Sequence, residues 1–166
     1  MKKNKYRFLI RFLMKICLWG VVFFVILTYV MGFHRETGNS MFPSIKDGDL
    51  CILYKLEESH TNDVVLYKTA DGKNRLGRIV AVGEQEVNFP EEGGYTVNDY
   101  QPSEEITYET YRAEKSDIKY PVALDKDEYF ILNDYRSDTS DSREYGVVKK
   151  EDIEGKLIFI LRRRSF

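Results

Sequence analysis

The chain has 166 residues and a net charge of −2, a length that suits one domain, or one domain with a small insertion. The charge is unevenly placed: seven basic residues and no acidic one precede Glu36, whereas the remaining 131 residues carry 18 basic and 27 acidic. A basic head on an acidic body argues against nucleic acid as the main partner and suits an anionic membrane face. Cys17 falls in an apolar run and Cys51 in a β-like run, so they are not expected to pair. Neither a disulfide framework nor metal-ligand spacing is present, and no cofactor is expected. His34 and His60 stand isolated in the sequence and read as surface histidines.

Residues 1–15 form a basic flank, and residues 16–33 contain no charge. Eighteen residues of helix reach ~27 Å, enough for a hydrocarbon core, with Trp19 and Tyr29 placed as interfacial anchors. The run exceeds the apolar segment of a cleaved signal peptide, and Met31-Gly32-Phe33-His34 lacks the small residues of a cleavage site. The expectation is an uncleaved single-pass anchor with a cytoplasmic N-terminus and the rest of the chain outside the cell.

Residues 34–166 read as mainly β. Short runs rich in β-branched and aromatic residues lie at 50–54, 64–67, 75–82, 95–97, 129–132 and 156–161. Asp47-Gly48, Asp71-Gly72, Gly93-Gly94 and Asn133-Asp134 punctuate them. No window outside the anchor has a helical period, and the short spacings imply hairpins in an antiparallel sheet. The acidic, tyrosine-rich stretch at about 83–122 is expected to be a small ordered insertion.

The informative stretch is Gly38-Asn39-Ser40-Met41-Phe42-Pro43, followed by Gly48-Asp49 and a β-like run. Small residues before Ser40 let backbone amides approach a bound carbonyl, and Pro43 restricts φ. This pattern suits a nucleophile held in a backbone oxyanion hole. The stretch resembles the nucleophile box of type I signal peptidases, the membrane-bound serine endopeptidases that remove signal peptides. Residues 62–67 and 78–82 are similar to the strands that follow that box, and residues 133–148 to the family's C-terminal box. Order and spacing agree from about residue 1 to 161. The resemblance implies a single transmembrane helix plus a signal-peptidase-like antiparallel β domain.

It also implies site residues. Ser40 matches the nucleophile, Gly38 the oxyanion-loop position, and Met41, Phe42 and Pro43 the substrate loop. Asp141 and Arg143 match a supporting pair, and Thr139 the position whose hydroxyl orients the general-base lysine. That lysine is missing: its position in Arg75-Leu76-Gly77-Arg78 is Gly77, which has no side chain to take a proton. A lysine placed at 77 is expected to reach Ser40, and an apolar groove is expected beside Gly77, Met41 and Phe42.

Two readings follow. The favoured one is a signal-peptidase-like accessory that lacks a competent Ser/Lys dyad and binds extended peptide segments of exported proteins by strand addition. Pilin subunits are one candidate, since the chain resembles signal-peptidase-like proteins of Gram-positive pilus assembly. The alternative is an active signal peptidase with another base. Loss of a general base typically costs 10²–10⁴-fold or more, which favours the first.

Overall fold

A computed structural model describes residues 2–103, 108–114 and 116–162. The N-terminal apolar run forms α1 (Lys2–Val25), continued by a π-helical turn at Ile26–Val30. The segment Tyr6–Val30 is long and apolar enough to cross a membrane, with mean hydropathy 2.3 and none of its side chains buried in the protein. It is compatible with a single membrane anchor. The apolar run overshoots the helix, because Met31–Phe33 belong to strand β1 (Met31–Arg35). Antiparallel pairing of Met31 with Tyr54 and of Arg35 with Leu50 supplies those residues with ladder bonds that a helix end would not.

The body is mainly antiparallel β, as expected. After β1 come β2 (Leu50–Tyr54), β3 (Val64–Lys68), β4 (Asn74–Val82), β5 (Glu86–Asn88), β6 (Thr96–Val97), β7 (Val122–Ala123) and β8 (Glu128–Leu132). A short helix α2 (Ser142–Tyr145), then β9 (Val148–Lys149) and β10 (Ile153–Leu161), complete the described chain. One sheet has the order β1-β2-β10-β3-β4-β8-β9, and a smaller one β6-β5-β7. Register breaks in β10 and between β4 and β8 bend the larger sheet.

Strand β3 shows why the sheet needs covers on both faces. Side chains alternate along a strand, yet Val64 to Tyr67 are all buried. Val64 and Leu66 pack with Met41, Ile45, Cys51, Leu53 and Leu76. Val65 and Tyr67 pack on the other face with Ile79, Tyr129, Ile131 and Val148. The first cover is supplied by the loop that carries Ser40, so that loop is part of the core. The stretch at 83–122 carries β5, β6 and the start of β7 where described, and residues 104–107 and 115 lie outside the described ones. Its Val87, Phe89 and Tyr95 share a cluster with Val80, Ala81, Phe130 and Leu132 of the main sheet.

Between β8 and α2 the chain is organised by one buried ion pair. The Arg143 guanidinium donates Nε to Asp141 Oδ1 at 2.9 Å and Nη2 to Asp141 Oδ2 at 2.7 Å, both residues being fully buried. Asp141 also accepts from the amides of Asn133 and Arg143. Arg143 further donates to the carbonyls of Arg136, Asp138 and Tyr111. A second pair, Arg78 with Asp134, is bidentate at 2.7 Å for each bond. Breaking a buried pair leaves a charge in low dielectric. Asp141→Ala is therefore expected to destabilise the fold by about 3–5 kcal/mol, measured as a drop in the denaturant midpoint at unchanged slope.

Candidate functional site

The Ser40 loop is closed at its base by two backbone bonds: Glu36 N–H donates to Asp49 O and Gly48 N–H to Glu36 O, each at 2.9 Å. Inside it, Met41 and Ile45 are fully buried and act as its hydrophobic plug. Met41 is therefore core and does not line a groove, whereas Phe42 and Pro43 are exposed. The Phe42–Pro43 peptide bond is cis. Gly38 has φ +100°, a backbone region that side-chain-bearing residues rarely adopt. The Ser40 carbonyl accepts the Tyr135 N–H at 2.9 Å, which ties this loop to the loop braced by Asp141 and Arg143.

The Gly38 amide is already engaged, donating to Asp47 Oδ1 at 2.8 Å. It does not point at a substrate carbonyl, contrary to the expectation for small residues before Ser40. Among the described residues the Ser40 amide makes no hydrogen bond. The cleft at Ser40, about 240 Å³, is lined by His34, Glu36, Ser40, Lys73, Arg75, Leu76 and Asp138 among others. Its wall is polar and charged, and Gly77, Met41 and Phe42, where an apolar groove was expected, do not line it. Thr139 is not among the residues of this cleft. It faces a separate cleft of about 700 Å³ with Arg136, Arg143 and Tyr108, and Asp138 takes its place near Ser40.

Gly77 lies where β4 passes Ile131 and Tyr67. A Cβ placed on Gly77 falls well inside contact distance of Ile131 Cγ2 and 3.0 Å from Tyr67 Cε1. A side chain at 77 would thus start against Ile131 and Tyr67 of the packed core. The space is filled by two fully buried side chains, one of them β-branched and stiff at χ1. The Tyr67 hydroxyl makes no hydrogen bond among the described residues, and burial, then the nearby Asp141, pushes its phenol well above the usual range. Lys73, at the cleft rim, is largely exposed and pairs with Asp71 at 3.1 Å.

What the sequence reading missed is Glu36. It is 4% exposed, and its Oε1 accepts the Ser40 hydroxyl at 3.1 Å. Its Oε2 lies 3.6 Å from His34 Nε2, so His34 is a partner of the site and not an isolated surface residue. His34 sits there because β1 pairs it with Cys51 and the loop then folds Glu36 back. The only sequence signal was a Glu four residues before the Ser40 position, which any loop can carry. His60 is exposed, as expected. The Cys51 thiol is pushed up to about 11 by burial and by Glu36 and Asp49. Among the described residues no group of His, Cys, Asp and Glu could hold a metal.

The fold is that of a signal peptidase I. The family model for signal peptidase, peptidase S26, matches residues 9–162, and the chain belongs to that family. It is 23% identical over 157 residues to "Inactive signal peptidase IA" of Staphylococcus aureus (strain N315), covering 89% of this chain and 88% of that one. It is 21% identical over 168 residues to "Signal peptidase IB" of the same strain, covering 91% and 88%. A signal peptidase I structure from Enterococcus faecalis V583 superposes with TM-score 0.52 at 20% identity, over 63% of this chain and all of that one. The relatives named inactive signal peptidase IA and signal peptidase IB are thus about equally similar to this chain.

The packing at Gly77 can be measured. Gly77→Ala is expected to cost roughly 1–3 kcal/mol through overpacking. In the double variant Gly77→Ala/Ile131→Ala the two costs should sum to less than their separate values, because one change makes room for the other. Strictly additive costs would mean that Ile131 does not fill the slot.

Proposed function

We propose that this protein is a membrane-anchored, signal-peptidase-like protein that lacks Ser/Lys catalysis and acts by binding extended segments of exported proteins. The observation that carries the reading is the slot at Gly77. The lysine is absent and Ile131 and Tyr67 occupy the space into which its side chain would start. The relatives named inactive signal peptidase IA agree with it. Binding has a physical basis in β1, a strand of five residues that, among the described residues, pairs with β2 on one side only and leads directly into the Ser40 loop. An edge strand presents unpaired N–H and C=O groups to an extended peptide. The partly exposed Phe42 ring, in the loop that follows that strand, would supply apolar contact. Pilin subunits are a candidate class of partner.

Capture should then depend on Phe42 and not on the Ser40 hydroxyl. Phe42→Asp is expected to weaken pull-down of the exported partner at least tenfold, about 1.4 kcal/mol, whereas Ser40→Ala leaves it unchanged. Equal capture by Phe42→Asp and parent would remove Phe42 from the binding surface.

For topology, the proposal is a cytoplasmic basic flank and an external β body, since the cationic residues precede the single span. Protease added to intact protoplasts should digest the body. Digestion only after permeabilisation would reverse the orientation.

A further inference from the structure

We infer that Ser40 is an acylatable serine with Glu36 as its general base, taking carboxylic esters and similarly activated acyl donors in preference to peptides. The geometry is a hydroxyl already donating to a carboxylate oxygen at 3.1 Å, at the wall of an open cleft of about 240 Å³. A buried carboxylate needs partners, and the partners of Glu36 are the Ser40 hydroxyl and His34, 3.6 Å from the other oxygen. Backbone bonds on both sides of Glu36 hold the carboxylate in register with Ser40. Around it lie Asp49 and Cys51 of the loop return and β2, Lys73 and Arg75 across the cleft, and Asp138 from the C-terminal box. Cys51 stays a neutral thiol at neutral pH, being pushed up to about 11, and does not compete as a base.

The step balances without any further reagent. Ser40 Oγ attacks the ester carbonyl carbon, its proton passes to Glu36 Oε1, and the carbonyl π electrons move to oxygen beside the Ser40 amide. Collapse re-forms the carbonyl and breaks the bond to the alkoxide or phenolate, which leaves with its electron pair. Glu36 first releases the serine proton to the departed oxyanion or to solvent. Water then attacks the acyl-serine, giving its proton to the freed Glu36 carboxylate. Glu36 passes that proton to Ser40 Oγ as the acyl–oxygen bond breaks and the carboxylic acid leaves. The substrate class follows from the oxyanion site. The Gly38 amide is held by Asp47, and loss of one oxyanion donor typically costs 10²–10³-fold. A leaving group that departs without a proton tolerates that loss better than a peptide amine does. The inference concerns two side chains and is independent of partner capture at β1.

The probe is p-nitrophenyl butyrate, given to the full chain in detergent micelles. The expected result is nitrophenolate release with a butyryl adduct that peptide mapping places on Ser40, and its absence from Ser40→Ala. Glu36→Gln, of the same shape but not a base, should slow acylation of Ser40 by 10²–10⁴-fold. Glu36→Asp, which keeps the carboxylate with a shorter reach, should retain more of the rate than Glu36→Gln. No adduct on Ser40 in the parent, acylation of Glu36→Gln at the parental rate, or equal losses in the Asp and Gln variants would each overturn the assignment.

Discussion

The structure around Ser40 depends on one buried ion pair, Asp141 with Arg143. Asp141 is fixed by three amide and guanidinium donors besides its shortest contact, and Arg143 spends its remaining donors on carbonyls of the same loop and of the insertion. A fork of planar donors can do this where a lysine cannot. The pair therefore sets the path of residues 133–143, and Tyr135 of that path holds the Ser40 carbonyl. A buried pair adds little net stability on average, but it forbids alternatives that would strand either charge. Its role here is to keep a loop in one place.

The scaffold around Gly77 is packed without a side chain at that position. In a close-packed interior an unfilled slot costs dispersion contacts and transfer energy. At Gly77 there is no such void, because Ile131 and Tyr67 close over the glycine. The Tyr67 hydroxyl is nonetheless left without a hydrogen bond among the described residues, a cost that an all-apolar filling would avoid. The residue that met Ser40 is a carboxylate from the near side of its own loop. The serine hydroxyl donates to Glu36, and the Gly38 amide is held by Asp47.

The loop has a second job, which explains why it keeps its shape in a chain with no lysine partner. Met41 and Ile45 seal one face of β2, β3 and β4 together with Leu53, Leu66 and Leu76. Unfolding the loop would expose these apolar groups to water. Preservation of the Ser40 loop is thus compelled by the core, and the presence of Ser40 within it is not by itself a sign of peptidase activity.

Local pattern was enough for the apolar N-terminal helix, most strands of the larger sheet and the family, because charge distribution, period-two alternation and turn residues are properties of neighbouring residues. The absence of a lysine at Gly77 was equally legible, since it requires only position in a motif. Strands β5, β7 and β9 are two or three residues long and carry too little pattern to be read; they exist because partners lie alongside. Direction and proximity across the chain were decided only by tertiary structure. Alternation could not say that the Gly77 position faces Ile131, that Thr139 turns to another cleft, or that Asp47 would take the Gly38 amide. Nor could it bring His34 and Glu36 to Ser40, because that meeting needs the β1–β2 pairing and the closed base of the loop. Residues far apart or unpatterned in sequence become a site when long-range pairing fixes them within hydrogen-bond reach, and that reach is a property of the fold.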